Sequence, residues 1–299
     1  MKVFIIGASG AIGFHLFKFL KKKNIKVIGT YNKNKKPNLI KFSLGKKKSE
    51  DNLLKKIEKD DIIFFLSSYT EVSWVRKNKK ESTLVNYHLT KNFLNKLITK
   101  KSRFFYFSSA EVFNGKKGFY NEKSQINPVN IYGRLKFLIE KYLIKTKYPN
   151  YHIIRTGRNV DMTDNFRCMI KDSYLTLLKD NAKMAEDNLF TITHQKDFSE
   201  AIFKITKKKK LPKILHVCSS QTISRVKFAK LIKKFSINSK YMFFKKCKFK
   251  EIKYGEKRAV KNNLNANFTS KLLGIKYTKA EKIIKEKVKI LDQKLKPII

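Results

Sequence analysis

The N-terminal segment restricts the fold more than any other: KVFII (Lys2–Ile6) is a short apolar run that ends directly at GASGAIG. Gly7, Gly10 and Gly13 follow at intervals of three, and the apolar spacing predicts a helix over Ala11–Lys22. A strand, a glycine turn and a helix in this order bring backbone amides and a helix N-terminus together. We expect Gly7 to allow the tight turn, Gly10 to let a pyrophosphate approach the backbone, and Gly13 to let the helix pack on the sheet.

Predicted strands and helices alternate through the first half of the chain. Helices are predicted from Ser49, as a capping residue, to Lys59 and from Ser82 to Thr99. The predicted strands are the apolar runs KVIGTY, LIKFSL, DIIFFLSS, RFFYFSS and YHIIRTG. Such alternation produces right-handed crossovers and a parallel sheet. The sequence therefore predicts an α/β fold with a Rossmann-like, doubly wound parallel sheet.

The formal charge of +46 has two explanations. A nucleic-acid ligand would use lysines against phosphates, but here the lysines are spread along the whole chain. Lys, Asn, Ile, Phe and Tyr are abundant together, and all have A/T-rich codons, so a biased genome accounts for the charge. We favour that explanation and expect no specific nucleic-acid partner.

The remaining bulk properties are those of a cytoplasmic protein. Three well-separated cysteines form no CxxC pair, which suits free thiols in a reducing compartment. No apolar run approaches the roughly 18 residues of a membrane span, so no membrane span is expected. The His, Cys and Asp residues have no metal-ligand spacing, and no metal is expected.

The stretch IYGRLKF places Tyr132 four residues before Lys136, which is one helical turn. The same spacing occurs at three other places, namely Tyr31/Lys35, Tyr87/Lys91 and Tyr241/Lys245, so spacing alone carries little information. An ammonium near a phenol favours its ionised form and lowers its pKa. Only the surrounding sequence can distinguish a catalytic pair from a surface pair.

That surrounding sequence resembles the extended short-chain dehydrogenase/reductase family (NAD-dependent epimerase/dehydratase), most closely nucleotide-sugar reductases of the dTDP-4-dehydrorhamnose reductase type. The matching segments span nearly the full length of the chain and are densest from Ser108 to Glu140. In order they are GASGAIG, FLSSYTEV, VNYHLTKNFL, SSAEVFNGKKGFYNEKSQINPVNIYGRLKFLIE, THQKDF and KRAVKNNL.

The resemblance implies a catalytic triad of Ser109, Tyr132 and Lys136. Ser109 would bind the substrate carbonyl oxygen, Tyr132 would exchange the proton, and Lys136 would acidify the phenol and hold the cofactor ribose. The implied cofactor is NADP(H) or NAD(H). Its expected contacts, besides Tyr132 and Lys136, are Gly7, Ser9, Gly10, Ala11, Ile12, Gly13, Tyr31, Asn32, Leu66, Ser67, Ser68, Tyr69 and Asn86.

Two departures from the family bear on specificity. No acid follows the second strand, where NAD-binding enzymes usually have one, but Lys33, Lys35 and Lys36 do, which favours NADP. Glu111 and Arg158 occupy two positions that are expected to contact the sugar, where rhamnose-type reductases usually have Tyr and Trp. These charges could form an ion pair or engage a more polar sugar. The substrate contacts that we expect are Ser109, Ala110, Glu111, Arg158 and Arg258.

The pattern changes after Gly157. A helix is expected from about Asp164 to Lys179, residues 192–220 return to the sheet, and from Thr222 a helix, a strand-like run and two more helices end near Lys296. The resemblance implies a dinucleotide-binding domain of residues 1–158, joined by 192–220. A smaller C-terminal α/β substrate-binding domain would comprise residues 159–191 and 221–299.

Three functions remain open from the sequence. The first is NAD(P)-dependent reduction of a keto group, at C4, of a nucleotide-activated sugar, for synthesis of cell-surface polysaccharide precursors. The second is a nucleotide-sugar 4-epimerase or dehydratase with tightly bound NAD. The third is a non-catalytic regulatory subunit that binds the cofactor. A nucleotide sugar is the expected partner, and a homodimer is the expected assembly.

Overall fold

The structure is a computed structural model that describes residues 1–163 and 166–295. These residues contain twelve strands: β1 (Val3–Ile6), β2 (Val27–Tyr31), β3 (Leu39–Lys41), β4 (Ile62–Phe65), β5 (Arg103–Phe107), β6 (Tyr151–Arg155), β7 (Arg158–Val160), β8 (Lys183–Ala185), β9 (Leu189–His194), β10 (Ile214–His216), β11 (Thr222–Ser224) and β12 (Lys245–Cys247). They also contain eleven α-helices: α1 (Ala11–Lys22), α2 (Lys47–Leu54), α3 (Val72–Lys77), α4 (Lys79–Thr83), α5 (Thr90–Thr99), α6 (Ile131–Lys145), α7 (Met169–Leu177), α8 (Gln195–Thr206), α9 (Arg225–Phe235), α10 (Asn267–Leu273) and α11 (Ala280–Leu295).

Seven parallel strands form the central sheet, in the order β10-β6-β5-β4-β1-β2-β3. β1 lies between β2 and β4, with Val3 opposite Val27 on one side and Ile62 on the other. The chain therefore reverses its direction of winding at β1, and the carboxyl end of β1 is the switch point where ligands bind in such sheets. This topology confirms the predicted Rossmann-like fold.

Helices cover both faces of the central sheet. On one face α1 and α8 pack over β1, and Leu16 and Phe198 are among the buried side chains between them. On the other face α5 and α6 contribute Phe93, Leu97 and Ile139 to a second core. Because both faces are covered, the strands are continuous apolar runs, as their sequences indicated.

A separate core lies in the C-terminal half. β7, β9 and β11 form a three-stranded sheet, β8 pairs with β12, and α7, α9 and α11 pack around them. Tyr174, Phe190, Phe228 and Ile284 are fully buried there. The division into a cofactor domain and a substrate domain stays a prediction, and this core is the part of the fold that would form the second.

Several predicted elements have other bounds. The helix expected over Ser49–Lys59 is α2, because Ser49 caps no helix and instead accepts a hydrogen bond from the Ser43 amide in the preceding loop (2.8 Å). A short strand, β11, precedes the helix expected from Thr222. The expected helix start near Asp164 and the expected end near Lys296 lie outside the described residues.

Among the described residues, no helix combines the length and the apolar character that crossing a membrane requires.

Candidate functional site

The glycine turn between β1 and α1 adopts a conformation that other residues disfavour. Gly7 has φ +91°, in the left-handed region, and its amide donates to the Thr30 hydroxyl at 3.0 Å. A Cβ on Gly13 would lie 2.5 Å from the Gly7 carbonyl oxygen and 2.8 Å from the Ala8 Cα. Both glycines are therefore needed for α1 to begin so close to β1.

The N-terminus of α1 opens into a long groove of about 560 Å³. Gly10 is its N-cap and offers no side-chain cap, and the first turn contains no acidic residue. The first amides of the helix are thus unpaired by side chains and face the groove, as diphosphate binding requires. The residues present therefore fit the diphosphate of a dinucleotide.

Nearly all the expected cofactor contacts line this groove. They are Gly7, Ser9, Gly10, Ala11, Ile12, Gly13, Tyr31, Asn32, Leu66, Ser67, Ser68, Tyr69, Tyr132 and Lys136. Asn86 lies behind it, buried in a π-helical turn over Leu84–Leu89. Its side-chain amide donates to the Tyr69 carbonyl and accepts from the Tyr69 amide, both at 2.8 Å. Asn86 therefore fixes the loop after β4 instead of lining the groove.

The expected catalytic residues meet at the inner end of the groove. Ser109 follows β5, and Tyr132 and Lys136 lie one turn apart on α6. Asn130 caps α6 by accepting from the Gly133 amide at 2.8 Å. A Cβ on Gly133 would lie 2.0 Å from the Glu111 carbonyl oxygen. Gly133 thus lets α6 approach the segment that carries Ser109, which is how the three side chains come together.

Burial dominates the electrostatics of this centre. It raises the pKa of Tyr132 above its ordinary value, against the opposing effect of the Ser109 hydroxyl. It also lowers the pKa of Lys136 to about 7, although Glu140 acts to raise it. The role of Lys136 in acidifying the phenol stays a prediction. Its ammonium is expensive to bury, and Lys136 donates to the Phe107 carbonyl (2.9 Å).

A buried ion pair joins α6 to β6. Arg155 and Glu140 are 1% and 0% exposed, and the Arg155 Nη2 lies 2.6 Å from the Glu140 Oε2. The Ser108 hydroxyl donates to the other oxygen of the same carboxylate. Because Glu140 is one turn beyond Lys136 on α6, this network fixes the helix and places a negative charge near Lys136.

A second space of about 200 Å³ adjoins the groove, and we call it the chamber. It is lined by Thr70, Val72, Ser109, Ala110, Glu111, Tyr132, Thr156, Gly157, Arg158, Thr191 and Asn262. Ser109 and Tyr132 line both spaces. A substrate in the chamber and a cofactor in the groove would therefore meet at these two hydroxyls.

The two charged residues of the chamber do not form an ion pair with each other. The Glu111 carboxylate accepts from the Asn130 amide at 2.7 Å and from the Asn262 amide at 2.8 Å. The Arg158 guanidinium instead lies 5.1 Å from the centre of the Phe190 ring. Arg258 lies outside the chamber lining, and its guanidinium donates to Glu256 (2.7 Å).

Comparison with known proteins identifies the family. The model of the RmlD substrate binding domain matches residues 1–293. The chain belongs to this family. The match confirms the predicted likeness to extended short-chain dehydrogenase/reductases, which are NAD(P)-dependent oxidoreductases.

Individual relatives are distant. An ADP-L-glycero-D-manno-heptose-6-epimerase of Brachyspira hyodysenteriae is 30% identical over 155 residues, covering 48% of each chain, so the match spans about half that relative's length. The spore coat polysaccharide biosynthesis protein SpsK of Bacillus subtilis is 27% identical over 77% of this chain and 78% of its own. The dTDP-4-dehydrorhamnose reductase of Bacillus anthracis, solved in complex with NADP, has a TM-score of 0.79 at 21% identity and covers 97% of this chain and 100% of its own. That likeness shows the shared fold.

Within this RmlD-family fold, sequence reasoning missed several residues of the site. Thr30 supports the glycine turn, Asn262 holds Glu111, and Gln195 lines the groove. Asn262 lies within KRAVKNNL, which resembled the family, so a signal existed for it. No signal in the sequence pointed to Thr30, because its role depends on β2 lying beside β1.

The three look-alike Tyr/Lys pairs differ from the pair on α6. Tyr31 lies on β2, Tyr87 lies in the π-helical turn, and Tyr241 and Lys245 belong to a 3₁₀ turn and to β12. Only Tyr132 and Lys136, among these pairs, share one α-helix facing the groove. The described residues also contain no group of three or more His, Cys, Asp or Glu side chains that could hold a metal ion.

Proposed function

We propose that this protein reduces a keto group, at C4, of a nucleotide-activated sugar with NAD(P)H, in the synthesis of cell-surface polysaccharide precursors. The observation that carries the proposal is that Ser109 and Tyr132 lie at the junction of groove and chamber, with Lys136 beside them in the groove. The distant relative SpsK is a spore coat polysaccharide biosynthesis protein, which supports a role in polysaccharide synthesis.

The chain's own residues suit the reductive direction. The bound cofactor supplies the hydride. Burial keeps the Tyr132 phenol protonated at neutral pH, so it can donate a proton to the alkoxide that develops on the sugar. The Ser109 oxygen accepts from the Glu111 amide (3.2 Å), so its hydroxyl hydrogen is the atom that would be donated to the carbonyl oxygen. Lys136 lines the groove beside Tyr132, where it would hold the cofactor ribose.

NADPH is the cofactor that we propose. Lys33 lines the groove at the end of β2, beside Tyr31 and Asn32, and would attract a 2′-phosphate. Of the other two lysines, Lys36 lies over the Phe14 ring at 5.7 Å. The structural relative from Bacillus anthracis was solved with NADP, which supports the same choice.

A nucleotide-sugar epimerase is the second candidate. It is favoured by the 30% identity to a heptose 6-epimerase over half of each chain. An epimerase would copurify with NAD that does not exchange, whereas a reductase would consume added NADPH in stoichiometric amounts.

We also propose a cytoplasmic homodimer. The three cysteines are free and buried, as suits a reducing compartment. Leu84 and Ile144 are each 50% exposed and lie on the π-helical turn and on α6, which pack against each other. A second copy could cover either of these apolar side chains, and sedimentation velocity tests that assembly.

The decisive experiment is a screen of nucleotide 4-keto sugars, followed by the loss of NADPH and NADH absorbance. Tyr132→Phe should reduce turnover by at least about 100-fold, because the phenyl ring keeps the packing but cannot donate a proton. Tyr241→Phe removes a phenol from a look-alike pair and should leave turnover unchanged. Full activity of Tyr132→Phe would refute the assignment.

A further inference from the structure

Two guanidinium groups lie against one aromatic ring beside the chamber. The Cζ atoms of Arg158 and Arg225 are 5.1 and 4.7 Å from the centre of the Phe190 ring. Arg158 is on β7 and Phe190 is on the adjacent strand β9, while Arg225 begins α9. The fold thus brings together two like charges from distant parts of the sequence, and we call them the arginine pair.

The arginine pair has no bonded counter-ion among residues 1–163 and 166–295. The Arg158 Nε is buried without a hydrogen-bond partner. The carboxylate that acts electrostatically on Arg158 is that of Glu111. The side-chain amides of Asn130 and Asn262 donate to the two oxygens of that carboxylate. Both arginines are half-buried, and charges withdrawn from water without a hydrogen-bonded counter-ion are costly unless an anion completes the site.

The surroundings of the arginine pair are also positively charged. Glu256 is already paired, since it bonds Arg258 at 2.7 Å and lies 3.5 Å from the Arg76 guanidinium. Burial, together with Arg158 and Arg258, lowers the pKa of Arg225 to about 10. An arriving anion would relieve this crowding of like charges.

The position of Arg158 indicates which part of a substrate would meet the pair. Arg158 lines the chamber together with Ser109 and Tyr132. Tyr132 must reach the oxygen on the reacting carbon of the sugar, so the sugar ring would occupy the chamber. The substrate group that meets Arg158 there therefore belongs to the sugar ring and not to the distant nucleotide. A guanidinium fork matches the two oxygens of a carboxylate. We propose that the arginine pair binds a carboxylate carried by the sugar, an inference that rests on the proposed function above.

Binding of matched nucleotide sugars tests this proposal. The NADPH-loaded protein would be titrated calorimetrically with UDP-glucose and UDP-glucuronate, and with the corresponding dTDP pair. Each pair shares its diphosphate and differs only in the carboxylate. We expect the acidic sugar to bind about 10- to 100-fold more tightly, as charge-assisted hydrogen bonds of about 1.5–3 kcal/mol provide.

Variants locate the effect. Arg158→Gln and Arg225→Gln should each remove most of the preference for the acidic sugar, and Arg158→Lys should retain part of it. Arg134→Gln, at an exposed position on α6, is the matched control and should keep the full preference. Retained NADPH affinity shows that each variant is folded.

Several outcomes would overturn the proposal. One is a wild-type protein that binds neither acidic sugar, or that binds the acidic and neutral sugars equally well. Another is a loss of affinity in the arginine variants that is equal for the acidic and the neutral sugar, which would assign the arginine pair to the diphosphate. NADPH oxidation by a neutral 4-keto sugar without any acid preference would refute this inference alone. An acid preference without oxidation of NADPH by any keto sugar would refute the proposed reductase instead.

Discussion

Replacing Arg155 by Met would remove one partner of the buried ion pair between β6 and α6. The guanidinium makes three contacts to the Glu140 carboxylate, at 2.6, 3.1 and 3.2 Å. In the Arg155→Met variant the carboxylate keeps the Ser108 hydroxyl and the nearby Lys136, and neither can replace a bidentate partner. A buried charge would then be left without its main counter-ion.

The expected loss of stability is large. Breaking a buried ion pair by removing one partner costs about 3–5 kcal/mol. At about 2–4 °C per kcal/mol for a large domain, the melting temperature should fall by about 6–20 °C. Glu140→Leu should cost a similar amount, because it leaves Arg155, which is 1% exposed, without its carboxylate.

A double-mutant cycle separates the pair from its surroundings. We expect the Arg155→Met/Glu140→Leu double variant to lose clearly less stability than the two single variants together, because no unpaired charge remains. Urea unfolding at neutral pH measures all three, with Arg134→Met on the exposed side of α6 as control. Single variants that each lose less than about 1 kcal/mol, or losses that simply add, would refute the reasoning.

Three further predictions concern the site. Gly13→Ala places a Cβ 2.5 Å from the Gly7 carbonyl oxygen, and the displaced helix should weaken NADPH binding by about 1–3 kcal/mol, measured by fluorescence titration; unchanged affinity would contradict this. Gly133→Ala places a Cβ 2.0 Å from the Glu111 carbonyl, and it should lower kcat by at least about tenfold with little change in NADPH affinity; equal losses in both would point to general unfolding. Because burial lowers the pKa of Lys136 to about 7, the unfolded chain holds that proton to higher pH than the folded chain does. Wild-type stability should therefore rise relative to Lys136→Met between about pH 7 and pH 10, and urea unfolding would show no such trend if the lysine stays charged in the fold.

The sequence was sufficient for the sheet because its strands are buried on both faces. Continuous apolar runs such as Ile62–Phe65 need no partner to be recognised, and α1 begins and ends where its apolar spacing predicted. Ser49 misled the prediction of α2 because its hydroxyl bonds an amide in the preceding loop, and only the folded loop shows that contact. The three residues of β11 are too few to give a periodic signal.

Polar contacts between distant segments were beyond the reach of the sequence. Glu140 and Arg155 are fifteen residues apart, on a helix and a strand, and nothing in their spacing marks them as a pair. Arg225 is one of many basic residues, and only the packing of α9 against β9 places it on Phe190 beside Arg158. Such contacts depend on how elements pack, which local patterns do not contain.

The charge of the Tyr132 and Lys136 pair follows from burial and not from the charge of the chain. The resemblance to the family implied that Lys136 is an ammonium that acidifies the Tyr132 phenol. At Tyr132 and Lys136 the opposite shifts occur, because burial penalises phenolate and ammonium alike. A neutral, protonated phenol is the form that can donate a proton to a developing alkoxide. A ligand carrying negative charge into the groove would stabilise the Lys136 ammonium, and the pKa of Tyr132 would then fall. The acidity of the Tyr132 and Lys136 pair is therefore expected to depend on whether the cofactor is bound. The pH profile of kcat/KM for NADPH, which reports the cofactor-free enzyme, should then differ from the pH profile of kcat.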